Sequence, residues 1–434
     1  MRIHLPRTAA LLVAGAVTAS MLAACASPQD AEAESGAPVV LRYWSWAPNI
    51  GAIVDVWNEA NPDIQVEVNT STGAADIVAK LSAAKEAGTL PDVSNTTYEN
   101  LPNLIVNDIA ADITEAFESY EEQIAPAAWN LTTFDGANYA VPQGTSPQFL
   151  FYRTDIFAEH GLEAPTTWDQ YADAARVINA ADPSKYLATF PANDGQLFAA
   201  LSQQAGAQWW SQSDGGWTLD IDGPQSTQVA EYWQGLVDEG VVATFKTWTP
   251  EWQAAIADGT LASWLSAVWA PPLIAQNAPG TEGDWAAVRI PQWTEGAPVS
   301  GVLGGSATVV TTGTRYPDEA REFAIWLNNS EDALTAYIEN ASIWPANLAG
   351  RELPGLKGAA PAVLGDQDGY YDLAAEIDEE TVVVTWGPNV ANAYSEFNDA
   401  FSEAITSGGS FTDALARVQE VVAADMSRQG YTLD

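Results

Sequence analysis

Leu41-Arg42-Tyr43-Trp44, Ile50-Gly51-Ala52-Ile53-Val54-Asp55-Val56-Trp57 and Ile64-Gln65-Val66-Glu67-Val68 follow one another with a change of period each time. The first piece reads as a short strand. In the second, Ile50, Ile53, Val54 and Trp57 fall at i, i+3, i+4 and i+7, the stripe of a helix packed on one side. Asn49 stands where a side chain caps a helix, and Asn61-Pro62 stops it, because the residue before proline disfavours helical backbone. In the third, Ile64, Val66 and Val68 alternate as in a half-buried strand. A second helical face, Ile77, Val78, Leu81 and Ala84, ends at Gly88, and Pro91-Asp92-Val93 opens another strand. Strand, helix, strand, helix, strand predicts an α/β layer on a parallel sheet.

The pattern loosens further on. Tyr139-Ala140-Val141-Pro142 leads into a strand, Phe149-Leu150-Phe151-Tyr152-Arg153. Thr166 or Thr167 caps a helix carrying Trp168, Tyr171, Ala175 and Ile178. Residues 186–190 are a short strand candidate, and from there to Trp293 the chain reads as mostly helical with Trp-rich loops. Gly304-Gly305-Ser306 precedes a β-like run, residues 307–311. Pro317-Asp318 opens a helix with Ala320, Phe323, Ala324 and Leu327 on one face, and the last helix carries Ala414, Leu415, Val418, Val421 and Val422.

At the N-terminus, Arg2 and Arg7 precede an apolar run, residues 8–24, that is short of the ~20 apolar residues a membrane span needs. A charged start, a short apolar core and small residues predict a signal peptide, 1–24. It ends Leu22-Ala23-Ala24-Cys25, which resembles the bacterial lipobox. That resemblance implies a diacylglyceryl group on Cys25, which becomes the mature N-terminus; the alternative is a plain signal peptide with an incidental cysteine. Cys25 is the only cysteine in the chain. Two acyl chains suffice for stable anchoring, so the bilayer is an expected partner through Cys25, on the extracytoplasmic face of the cell membrane. Residues 25–38, rich in Ala, Glu, Ser and Gly, read as a flexible tether. The remaining chain suits about two domains, and no later segment is long and apolar enough to span.

Against 57 Asp and Glu stand 16 Lys and Arg, a formal charge of −41 that loss of Arg2 and Arg7 makes more negative. Such a surface repels nucleic acid and anionic headgroups, so no nucleic-acid partner is expected. A hydrophobic fraction of 47% excludes wholesale disorder. His4 leaves with the signal peptide, and His160 sits in a stretch that reads as a helix end facing the dipole. With no other cysteine, Cys-His and multi-His metal sites are excluded; a Ser-His-Asp triad would need His160 and has no supporting motif. No cofactor and no metal are expected, and the surviving enzyme class works with carboxylates alone.

All 18 tryptophans lie after Cys25. Some build the core, but many adjoin Pro, Gly or Asn in loops. A sugar offers apolar C–H faces to an indole and hydroxyls to polar neighbours, so aromatic platforms beside Asp, Asn and Gln are what a neutral sugar site needs.

Tyr43-Trp44-Ser45-Trp46, Trp57-Asn58-Glu59-Ala60-Asn61-Pro62-Asp63-Ile64, Leu90-Pro91-Asp92-Val93 and Tyr139-Ala140-Val141-Pro142-Gln143 come in a distinctive order. So do Phe151-Tyr152-Arg153-Thr154-Asp155-Ile156-Phe157, Pro165-Thr166-Thr167-Trp168, Gly304-Gly305-Ser306 and Arg321-Glu322-Phe323-Ala324-Ile325-Trp326-Leu327. Together they resemble extracellular solute-binding protein family 1, the sugar-binding subunits of ABC importers. The resemblance implies an α/β fold of the two-lobe periplasmic-binding-protein-like kind (type II), with discontinuous lobes and ligand in the interlobe cleft. It implies lobe 1 over 39–145 plus 303–345 and lobe 2 over 146–302 plus 346–434, with crossings near 143–148, 302–308 and 343–347. It also implies a monomer, a carbohydrate ligand, and permease subunits as partners that recognise the closed form. Relatives often carry an acidic residue where this chain has Gly144-Thr145, which puts that acid's sugar contact in question.

Trp44 and Trp46 straddle the end of the first strand, where α/β sheets place ligands; one is expected in the core and the other, preferably Trp46, in the cleft. Tyr98 and Glu99 follow the third strand, as cleft groups or as helix N-terminal decoration. Gln143 and Thr145 lie at the hinge and reach either ligand or backbone. Asn193 and Asp194 offer short polar side chains or an Asx turn. Trp269, before Ala270-Pro271-Pro272, resembles a stacking position in relatives. Gly305 and Ser306 present backbone N–H groups or simply permit the hinge turn. Trp344 and Trp386 adjoin Trp344-Pro345 and Trp386-Gly387-Pro388 and serve as platforms or lobe packing.

A binding subunit without chemistry is the leading expectation. A secreted glycoside hydrolase needs only two carboxylates ~5–9.5 Å apart. A binder of a non-sugar solute remains open, above all a polyamine, which would use acids and rings.

Overall fold

The computed structural model describes residues 37–434 except 71–73, 214–215, 342 and 359. The predicted signal peptide, Cys25 and most of the tether lie outside the described residues.

Two sheets organise the chain. One has six strands in the order Trp344–Pro345, Val141–Thr145, Ser306–Val310, Val93–Thr97, Val39–Trp44, Ile64–Asn69. The first three strands in sequence pair in parallel, Val39 opposite Ile64 and Tyr43 opposite Val93, as the strand–helix alternation predicts. The sheet as a whole is mixed, because Ser306–Val310 runs antiparallel to both its neighbours. The second sheet is antiparallel, with Gln148–Arg153 between Ser263–Ala267 and Trp285–Arg289. The chain therefore leaves the six-stranded sheet after Thr145, returns at Ser306, and contributes its last strand there at Trp344–Pro345.

Each sheet has its own core. Tyr43, Ile53, Trp57, Leu81, Val93, Val309 and Phe323 are buried together around the six-stranded sheet. Trp57 is held edge-on by Phe323 and Trp326, and its indole N–H donates to the Ile64 carbonyl at 2.8 Å, so its burial leaves no polar group stranded. Around the three-stranded sheet lie two adjoining cores. One contains Trp168, Phe198, Trp233, Phe397 and Val418, and the other Phe149, Trp252, Trp264, Trp285 and Tyr370. This is the two-lobe α/β fold that the sequence leads one to expect.

Local expectations meet mixed outcomes. Helices Ile50–Ala60, Ile77–Ala87, Pro317–Asn329 and Phe411–Arg428 bury the predicted faces, though Val78 of the second and Val421 of the last are only half-buried. Thr167, not Thr166, caps Trp168–Ala181 by accepting from the Gln170 amide. Asn49 does not cap with its side chain. It sits at φ 52 and its amide donates to the Asn340 carbonyl at 3.0 Å. Residues 186–190 make only isolated bridges, Tyr186 with Leu261 and Thr189 with Ala243. Strands Ser263–Ala267 and Trp285–Arg289 interrupt the stretch read as mostly helical. Every residue of the former is buried, so it lacks the alternation that marks a half-solvated strand.

Candidate functional site

At the seam between the sheets the Val93–Thr97 strand ends in a short turn, Tyr98–Asn100. Tyr98 lines a cleft with Thr145 and Ser146 of the outgoing crossing and Val302 and Gly304 of the returning one. Asn130 and Leu131 close one side, and Asp378 with Thr381, Val382, Val383 and Val384 the other. The Tyr98 hydroxyl is buried and has no hydrogen-bond partner among the described residues. Burial raises its pKa far above the ordinary value, and Asp378 adds to the shift. A buried hydroxyl without a partner is costly, and this one belongs to a residue that lines the cleft.

Arg351 ties the hinge together. It pairs with Asp378 at 2.8 Å, donates to the Pro345 carbonyl at 2.8 Å and to the Thr145 hydroxyl at 3.4 Å, and lies 5.3 Å over the Trp344 ring. Thr145 is therefore both a cleft residue and an anchor for Arg351. The returning crossing passes between two rings. Gly304 and Gly305 both adopt φ +89. A Cβ on Gly305 would stand 2.7 Å from the Tyr98 ring, and one on Gly304 3.4 Å from the Trp269 indole nitrogen. Both the positive φ and the close approach require glycine here. Ser306 and Gln143 are joined to each other: the Ser306 hydroxyl donates to Gln143 Oε1 at 2.7 Å, and Gln143 Nε2 donates to Tyr337 at 2.7 Å. Their side chains serve the interior of the six-stranded sheet.

Beside the cleft a buried polar contact joins elements of the two cores. Glu99 accepts from Gln196 Nε2 at 2.7 Å. Burial pushes the Glu99 carboxyl up to about 7, against the lowering effect of its hydrogen bonds. Asp194 caps the Gly195–Gln204 helix, accepting from the Leu197 amide at 3.0 Å, and burial pushes it up to about 6. The Tyr394 hydroxyl, without a partner among the described residues, is raised well above its ordinary value by burial, with Glu99 and Asp194 adding to the shift. Asn193 is separately committed. Its Oδ1 accepts from the Thr247 amide at 3.0 Å and its Nδ2 donates to the Thr247 carbonyl at 3.1 Å.

The predicted tryptophans divide. Trp44 and Trp46 are both half-buried and both pack against the first core. The expectation that one of them fills the core is corrected: Tyr43 does so, with its hydroxyl on Asn95, because side chains alternate along the strand. Trp269 borders the glycine crossing. Trp344 is buried and stacks on Tyr371 at 6.4 Å with 7° between planes; Trp386 is buried in the core with Trp209 and Trp210. Both indole N–H groups lack partners among the described residues. Sequence reasoning missed the Arg351–Asp378 pair, Tyr394 and Trp248. The first two arrive from distant segments and carry no local signal. Trp248 had one, the Trp-Thr-Pro that opens a helix next to a row of tryptophans.

Comparison with known proteins fits this geometry. The chain is 24% identical over 417 residues to the arabinooligosaccharide-binding protein of Halalkalibacterium halodurans, covering 89% of this chain and 90% of that one. The ABC transporter associated binding protein of B. animalis subsp. lactis, solved with beta-1,6-galactobiose, superposes with a TM-score of 0.83 at 24% identity, covering 92% of this chain and 100% of the other. The galacto-N-biose-/lacto-N-biose I-binding protein of Bifidobacterium longum gives 0.81 at 25% identity, with 92% and 100% covered. The model of one family matches residues 52–360. With that match and the cleft between two lobes, the chain belongs to the bacterial extracellular solute-binding proteins.

Proposed function

We propose that this chain is the sugar-capturing subunit of an ABC importer, holding a neutral carbohydrate, an oligosaccharide, in the interlobe cleft outside the cytoplasmic membrane. The observation that carries the reading is the cleft at Tyr98. There Tyr98, whose buried hydroxyl has no partner among the described residues, lines a space walled by the outgoing and returning crossings, and Trp269 stands across the glycine crossing. A sugar supplies what these groups lack, a hydroxyl for Tyr98 and a C–H face for the indole. The names of the relatives support the same class.

The lobes comprise 39–145 plus 303–345 and 146–302 plus 346–434, and ligand stabilises their closed arrangement for the permease subunits. Acylated Cys25 tethers a monomer through residues 25–38. The protein performs no reaction on what it binds. Calorimetry against arabinose, arabino-oligosaccharides, β-1,6-galactobiose, lacto-N-biose, mannitol and spermidine tests the reading. At 100 times its dissociation constant, the right sugar adds about 2.7 kcal/mol of stability. Binding of spermidine alone replaces the sugar reading with a polyamine one. Release of shorter sugars from any oligosaccharide in the panel replaces it with a hydrolase.

A further inference from the structure

Trp248 is half exposed, at 50%, and is the only exposed aromatic ring among the described residues. Its backbone is at φ +67, a left-handed conformation that is unfavourable for a bulky L-residue and persists only where the surroundings over-determine it. They do so on both sides. Thr247 is gripped through its amide and carbonyl by the Asn193 side chain, at 3.0 and 3.1 Å. Thr249 donates to the Lys246 carbonyl at 2.7 Å and accepts from the Trp252 amide at 3.3 Å, capping the Pro250–Ala257 helix. The strain holds the indole against three others: Trp252 at 5.3 Å, Trp264 at 5.7 Å and Trp269 at 6.4 Å between centroids. With Trp269 the planes differ by only 34°. Trp269 in turn borders Gly304, which lines the cleft.

We infer that Trp248 is a second ring-stacking subsite, one indole outward from Trp269, and that Asn193 is the residue that positions it. This rests on the carbohydrate reading and deepens it: the ligand is a chain of sugar rings that continues out of the cleft over Trp269 onto Trp248. The surroundings suit one sugar face better than a protein interface. The chain neighbours Lys246 and Glu251 are exposed and charged, so the apolar surface offered here is an indole or two beside charged side chains, far below what a stable protein contact covers. A core-building role does not need an exposed ring, and it does not need the left-handed backbone.

The test is Trp248→Gly, read by calorimetry with arabinose and its di-, tri- and tetrasaccharides, and with galactose and β-1,6-galactobiose. Glycine is at ease at positive φ, so the unliganded variant should melt close to wild type while the ring is gone. The expected result is a loss of about tenfold for the longest glycan bound, the size of one aromatic stack, with the shortest bound member within about twofold of wild type. Asn193→Ala should give the same length-dependent loss, and Trp248→Tyr should restore most of the affinity. An equal loss at every length, or none, overturns the inference while leaving sugar binding intact. Wild-type protein that binds none of these glycans overturns both.

Discussion

Glu99→Gln tests whether the polar contact beside the cleft governs closure. The carboxyl is buried, accepts from Gln196 of the Gly195–Gln204 helix, and its pKa is pushed up to about 7. An exposed glutamate titrates near 4.3. A carboxyl with a higher pKa in the folded protein binds its proton more tightly there, so between about pH 4 and 7 the folded state holds more protons than the unfolded one. Stability then falls as pH rises through that window. That rise in pKa is worth about 3 kcal/mol as an upper figure. Separating the lobes returns Glu99 to water and relieves the same cost, so rising pH also favours the open arrangement. Glutamine keeps an acceptor for Gln196 and cannot ionise. Urea unfolding from pH 4 to 8 should show wild type losing stability relative to the variant, the two nearly equal at pH 4 and the variant ahead by up to about 3 kcal/mol at pH 8. Small-angle scattering of the unliganded proteins should show expansion with pH in wild type and less in the variant. Parallel stability curves and equal radii would refute the assignment of this contact to lobe closure. Asp194, pushed up to about 6 by the same cause, contributes a slope of the same sign in both proteins and leaves the difference interpretable.

Gly305→Ala should cost several kcal/mol or shift the returning crossing, because the new methyl meets the Tyr98 ring at 2.7 Å on a backbone at positive φ; thermal unfolding with sugar titration reads both effects, and a wild-type melting curve would contradict the close approach. Trp269→Ala should weaken every sugar that binds, short or long, by about tenfold or more with the lobes still folded by circular dichroism; unchanged affinity removes it from the site. Trp57→Ala should destabilise by about 3–5 kcal/mol without altering the sugar preference of the folded fraction, as urea titration and calorimetry would show. Cys25→Ala should release the protein from the membrane fraction with solution affinity unchanged; loss of affinity in the purified variant would contradict a simple tether.

The first lobe was legible because its signals are local. The stripe Ile50, Ile53, Val54, Trp57 and the alternation Ile64, Val66, Val68 report burial within a few residues of themselves. The glycine pair was legible as a turn, though its reason, passage between Tyr98 and Trp269, was not. The strand Ser263–Ala267 escaped because burial on both faces erases period two.

What the sequence determines alone is therefore the element order of the first lobe, the acidity, the scarcity of cysteine and histidine, and the supply of tryptophan. Which tryptophans meet solvent, and which polar groups are committed elsewhere, is a tertiary matter. Gln143 and Ser306 lie 163 residues apart yet satisfy each other, and Glu99 meets Gln196 across 97. A side chain's availability depends on partners brought in from distant segments. Trp248 shows the same dependence from the other side: the grip of Asn193, 54 residues away on Thr247, helps hold that ring where it is exposed.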